Sequence, residues 1–322
     1  MEVQHINSVE VVSKTPMRFK ISSDDLAILL INARSMMGLR DYKTAEQLIM
    51  RILAIDSRNI MAMEWIYQIH LLRKNFSHCL VIAKNILRIK YDFQSCLRLA
   101  KLHYQMNEDQ KALDCYFEAL AILNTENEDL FEIYKNIGNI YTRFGDVDAA
   151  EEYYNKAHTL HPDSDVLRVN FGTLALQKGD MEKAKHCFQR AVQLNQSNSQ
   201  AWIGLAMIHH QQSDYELAWA NICQGFDFDP ANKTALQMIC KWSLQLGKQD
   251  EAVKWCLLYL DRNDFDHEVS GWLVEQFAAC HRFGSALLEV EKIKSFCPEL
   301  QNKLNQLVIY LEEQCAQRVQ WA

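Results

Sequence analysis

Residues 131–164 read FEIYKNIGNIYTRFGDVDAAEEYYNKAHTLHPDS, and this stretch decides the fold. Two helical runs are parted by Gly145-Asp146. Glycine adopts the left-handed conformation that closes one helix, and aspartate accepts hydrogen bonds from the free amides that open the next. Pro162 ends the second run, because proline has no amide and clashes with the preceding turn. The stretch is a helix-turn-helix unit.

Outward from it, Ala150 recurs as Ala184, Ala218, Ala252 and Ala286, always 34 residues on. Gly179 and Gly247 stand five residues before their alanines, as Gly145 does, with Ser213 in the copy that lacks glycine, and Asp180 and Asp214 follow at once. Pro230 and Pro298 repeat the position of Pro162 at steps of 68. A fixed period of this length means stacked copies of one unit, each burying its apolar face on its neighbours.

Residues Tyr134, Ile137, Gly138, Tyr141, Ala150, Tyr154, Ala157 and Pro162 fill all eight signature positions of the tetratricopeptide (TPR) pattern, which the stretch therefore resembles. The next copies keep Phe171, Gly172, Ala184, Phe188 and Ala191; then Trp202, Leu205, Ala206, Ala218 and Pro230; then Leu236, Ile239 and Ala252; then Leu273, Phe277, Ala286 and Pro298. Upstream, Ala112, Tyr116 and Ala119, then Cys79, Ala83 and Ile86, then Ala45, Ile49 and Ile52 mark three fainter copies. The resemblance implies an all-α protein, a right-handed α-solenoid of eight repeats at 26–59, 60–92, 93–126, 131–164, 165–198, 199–232, 233–266 and 267–300. Residues 127–130 form an acidic insertion expected to lengthen one helix, and 1–25 an arm, flexible or docked. Residues 301–322 are expected as a capping helix, since Leu300, Leu304, Leu307, Leu311 and Cys315 trace one stripe opposite Glu312, Glu313, Gln317 and Arg318. Small residues are expected where paired helices touch, Ala150 and its equivalents facing Gly138, Gly172 and Ala206.

Composition narrows the function. A net charge of -7 without a basic cluster speaks against nucleic acid and anionic membrane surfaces. No apolar run approaches the length of a membrane span, and the first residues lack the pattern of a signal peptide, so a soluble, cytoplasmic protein is expected. Ten scattered cysteines suit a reducing compartment and read as small core residues, Cys79, Cys240 and Cys256 among them. There is no phosphate-binding glycine loop, zinc-protease motif or nucleophile elbow. His209-His210 and the pair His158 and His161 read as structural, so neither enzyme activity, cofactor nor metal is expected.

The resemblance further implies that the first helix of each repeat lines a concave groove. The residues that this places in the groove are Lys135, Asn136, Asn139 and Arg143; Asn170, Thr173 and Gln177; Gln200, His210 and Gln211; and Lys241 and Gln245. Trp65 and Trp272 fall at groove-facing places as aromatic anchors, while Trp202 falls at a packing place. Groups of this kind both donate and accept hydrogen bonds, as gripping an extended peptide backbone requires. Lys135, Asn139 and Asn170 match the co-chaperone clamp for acidic tails, but Gln200 and Gly204 stand where its basic pair belongs. The expected function is a protein-interaction scaffold or adaptor holding a partner's peptide segment. The alternatives are a peptide-responsive sensor, a subunit of a larger machine in secretion, motility, polarity or the cell cycle, or a co-chaperone.

Overall fold

The computed structural model describes residues 23–123 and 128–319. Among these there are seventeen α-helices, a short 3-10 turn at Pro298–Leu300 and no strand, in two compact units divided between Glu126 and Asn127. The all-α expectation holds.

The first unit holds α1 (Ser23–Gly38), α2 (Tyr42–Ile55), α3 (Ile60–Leu72), α4 (Phe76–Ile89), α5 (Phe93–Gln105) and α6 (Asp109–Ile122). In the second, first helices α7 (Leu130–Phe144), α9 (Asp165–Gln177), α11 (Ser199–Gln211), α13 (Lys233–Leu246) and α15 (His267–Ala279) alternate with second helices α8 (Val147–Leu160), α10 (Met181–Leu194), α12 (Tyr215–Phe228), α14 (Gln249–Arg262) and α16 (Phe283–Phe296), and α17 (Gln301–Val319) follows. Within each unit every helix packs on its neighbours in sequence. In the second, α9 also touches α7 and α11, and α15 touches α13, which is the arrangement of a solenoid.

Among the described residues, eight have positive φ: Arg40, Lys74, Asn107, Gly145, Gly179, Ser213, Gly247 and His281. Each stands five residues before a fully buried small side chain, in turn Ala45, Cys79, Ala112, Ala150, Ala184, Ala218, Ala252 and Ala286, all 0% exposed. The left-handed turn is thus a feature of the backbone that glycine fills in three cases and other residues fill under strain. The helix starts are equally regular. Asp41, Asp146, Asp180 and Asp214 cap second helices by accepting the amide three residues on, and Asn59, Asp92, Ser164, Asn198, Asn232 and Asp266 do so for first helices. α8, α12 and α16 end two residues before Pro162, Pro230 and Pro298.

Three expectations are corrected in detail. The glycine notches are filled by aromatic rings four residues past the alanine: a Cβ on Gly138 would come 2.5 Å from the ring of Tyr154, and one on Gly172 2.8 Å from that of Phe188. The same Phe188 ring closes Gly204 in the next repeat, where a Cβ would approach to 2.6 Å. Second, Glu128 and Asp129 form a turn, and only Leu130 of the acidic stretch joins a helix; residue 127 lies outside the described residues. Third, α1 starts at Ser23, so the last residues assigned to the arm are helical, while 1–22 lie outside the described residues.

In α17, Leu304, Leu307, Val308 and Leu311 stand 34 residues after Ser270, Leu273, Val274 and Phe277 of α15, so α17 keeps the register of a first helix. Leu311 is fully buried against Phe283, Val290 and Ile293, and Glu312, Glu313 and Gln317 are exposed. Trp321 lies outside the described residues.

Candidate functional site

First helices carry the sequence-derived groove residues, and in the second unit consecutive first helices pack side by side. Thr173, Gln177, Gln200, Gln211, Lys241 and Gln245 are all exposed. Gln177, Gln211 and Gln245 occupy the same place on α9, α11 and α13, forming a row of amides at steps of 34 residues. Gln177 ties one repeat to the previous one, its Nε2 donating to the Thr142 carbonyl at 3.3 Å. Thr173 spends its hydroxyl on the Val169 carbonyl one turn back, at 3.1 Å.

The other groove residues are more engaged with the fold. Asn139 and Asn170 meet directly: Asn170 Nδ2 donates to Asn139 Oδ1 at 2.8 Å, and the Tyr154 hydroxyl donates to the same oxygen at 2.9 Å. Lys135 pairs with Glu132 at 2.6 Å and lies 5.7 Å from the centroid of the Phe131 ring, leaving its side chain 15% exposed. Arg143 is exposed and has an interaction of its own. Asn136 is buried, because its place on α7 faces the neighbouring helices rather than water. His210 is half-buried, its ring stacked on Trp242 at 4.3 Å with Tyr215 edge-on at 5.3 Å. Stacking on a buried indole occupies one face of the imidazole and holds the ring against α13.

The clamp for acidic tails is incomplete in sequence, with Gln200 and Gly204 at the places of its basic pair. Its place on Gly204 lies under Phe188, so a lysine or arginine there would force the ring aside. Trp65 and Trp272 are both half-buried. The first packs on the core of α1–α4, and the second borders a cleft between α15, α16 and α17. Trp202 is half-buried with its Nε1 donating to the Gln196 carbonyl at 2.8 Å.

The titratable groups are those of a packed interior. His209 is buried with Nδ1 3.6 Å from Asp214, and burial first of all lowers its pKa. His158 is half-buried and likewise lowered by burial, then by Arg168; His161 rests edge-on against Phe131. Cys79, Cys240 and Cys256 are buried, and Cys240 Sγ lies 3.3 Å from Cys256 Sγ. Burial pushes the thiols of Cys115 and Cys223 up to about 11 and about 12, so they stay protonated and unreactive at neutral pH. No grouping of histidine, cysteine and carboxylate among the described residues could hold a metal ion.

Sequence reasoning missed the buried network of Ser243 and Gln276. Gln276 Nε2 donates to the Cys240 carbonyl at 3.1 Å, and Ser243 Oγ lies 2.7 Å from Gln276 Oε1. Both side chains are fully buried. The two residues stand 33 apart, one short of the repeat period, which hides the pairing from a search at 34.

Residues 93–163 and 129–197 match the tetratricopeptide repeat model. The human protein O-mannosyl-transferase TMTC3 is 22% identical over 252 residues, covering 70% of this chain and 26% of that protein. Of solved structures, the APC/C hetero-tetramer Cut9-Hcn1 aligns at a TM-score of 0.56 and 16% identity over 79% of this chain and 52% of that one. PilW, a type IV pilus biogenesis factor, aligns at 0.55 and 16% over 68% and 99%. The chain thus spans about a quarter of the TMTC3 length and about half of the Cut9-Hcn1 chain, and the likenesses speak to fold. No described helix is long and apolar enough to cross a membrane. The tetratricopeptide repeat model matches 93–197, about a third of the chain, the turn and alanine columns keep the same register on both sides of that stretch, and the fold is that of a tetratricopeptide-type repeat array.

Proposed function

We propose that the chain is a non-enzymatic interaction scaffold that holds an extended peptide segment of a partner protein against the first helices of its second unit. One observation carries this reading. Gln177, Gln211 and Gln245 stand exposed at one place on three successive first helices, and exposed Thr173, Gln200 and Lys241 lie on the same helices. Amides in a row can pair with peptide groups along an extended chain, donating and accepting at once without the desolvation cost of charges. Affinity of this kind is modest, because each hydrogen bond exchanges for one with water.

The test is titration of a panel of extended twelve-residue peptides against the parent chain and a Gln211→Ala/Gln245→Ala variant. Weaker binding by the variant at unchanged melting temperature supports the reading. Equal affinity in both, or no binding by any peptide, removes it.

A second reading, as a subunit of a larger assembly, has its own observation. Leu288, Phe296, Ile309 and Tyr310 on α16 and α17 are 75%, 62%, 56% and 50% exposed, more apolar surface than these two helices need to show water. Aggregation of the chain alone, relieved by Leu288→Lys or Ile309→Lys, would favour it.

A further inference from the structure

We propose that the cleft between α15, α16 and α17 receives one bulky apolar side chain of a partner peptide, with a lysine or arginine beside it in that peptide. The proposal rests on the peptide-binding reading above and names the chemistry of its ligand.

The cleft has a volume of about 490 Å³, in the range of pockets that enclose a large side chain or small molecule. Trp272, Ile293, Leu304 and Leu307 supply apolar walls. Gly271 keeps it open: a Cβ built there meets no atom within 4 Å, so the missing side chain leaves space that its neighbours have not closed. Trp272, Leu304 and Leu307 are only half-buried, and an apolar occupant would take their remaining surface from water.

Charge selects what stands next to that occupant. Glu268 and Glu275 border the cleft. Glu268 shares Lys233 with Asp266, at 2.5 and 2.7 Å, and the ammonium lies 5.8 Å from the centre of the Trp272 ring. Glu275 is exposed and has no ion pair among the described residues. Two carboxylates thus border the cleft, and the one ammonium beside them is shared with Asp266, so a cationic flank on the ligand complements the excess. Gln237 of α13 also borders the cleft, one turn from exposed Lys241, so a peptide following the amide row reaches it directly.

The experiment is selection of a random twelve-residue peptide display library on the full chain, followed by titration of the enriched peptides. The expected consensus is Leu, Ile, Met, Phe or Trp next to Lys or Arg. Gly271→Leu, which fills the cleft, should weaken these peptides at least thirtyfold without lowering the melting temperature. Glu275→Lys, on the exposed rim, should weaken them about fivefold and flatten their salt dependence. Enriched peptides without the basic-apolar pair, or peptides indifferent to both substitutions, would overturn the proposal. Binding lost in Gln211→Ala/Gln245→Ala but kept in Gly271→Leu would sink the cleft and leave the groove standing. The reverse would keep the cleft and remove the amide row. A dimer mass in light scattering that Gly271→Leu abolishes would place a second copy there and refute the peptide assignment.

Discussion

Replacing Gly204 by alanine isolates the packing on which the repeat depends. The added Cβ would sit 2.6 Å from the Phe188 ring, where carbon atoms in contact prefer about 3.5–4.0 Å. The ring has nowhere to go, because on its other side Gly172 leaves only enough space that a Cβ there would come to 2.8 Å. Overpacking of this kind costs about 1–3 kcal/mol. Against it stands the better helix propensity of alanine, about 0.8–1 kcal/mol. A gap of nearly 1 Å that two helices must open puts the packing term at the upper end, so the net effect is a loss of about 1–2 kcal/mol. Gly271→Ala is the internal control, with the same propensity gain and no atom within 4 Å, so it should stabilise by about 0.5–1 kcal/mol. Urea denaturation followed by circular dichroism reads both. A Gly204→Ala midpoint equal to or above that of Gly271→Ala would refute the reasoning, since only the ring distinguishes the two sites.

Other consequences follow from the same geometry. Ser213→Gly should raise stability by about 1 kcal/mol, because serine holds φ +63 where glycine is unstrained; an unchanged or lower midpoint would contradict it. Ala184→Trp, at a fully buried helix contact, should lower stability by about 1–3 kcal/mol in the same assay, and parity with the parent would undo the register. Gln276→Leu should cost about 1 kcal/mol, because the Cys240 carbonyl and the Ser243 hydroxyl each lose one bond but keep the 2.7 Å bond to each other, and a stability-neutral result would mean that the glutamine adds nothing. Burial lowers the pKa of His70, His158 and His209, so below about pH 6.5 the unfolded chain takes up protons that the folded chain refuses. The stability contributed by their neutral forms is complete above that pH and drains away as pH falls toward the depressed folded values. Melting temperature should drop from pH 7 to pH 5, less steeply in His209→Gln, and identical slopes would exclude His209 from the effect.

The repeat was legible because glycine, alanine and proline answer to backbone geometry and contact distance, which leave few residue choices. Gly145, Gly179 and Gly247 announced their turns; Arg40, Lys74, Asn107 and His281 did not, since nothing about those side chains signals a left-handed φ. Their place five residues before a small buried residue is the signal that finds them. The notch fillers Tyr154 and Phe188 sat at signature positions, but that one ring closes glycines in two repeats depends on how helices nest, which spacing along the chain does not encode. The groove face was legible as a set of places, and the side chains at those places then followed their neighbours. Asn136 sank into the helix contacts, Asn139 bonded Asn170, and His210 found Trp242, whereas Gln177, Gln211 and Gln245 near the ends of α9, α11 and α13 stayed exposed. The cleft beside Trp272 combines α13 with three later helices, and no short window of sequence contains it.

The most direct test of peptide binding along the first helices is hydrogen exchange on the full chain with and without a library-selected peptide. The expected result is slowed exchange in α9, α11, α13 and α15, with α10, α12 and α14 unchanged. Protection confined to the second helices, or none at a saturating peptide concentration, would contradict the claim.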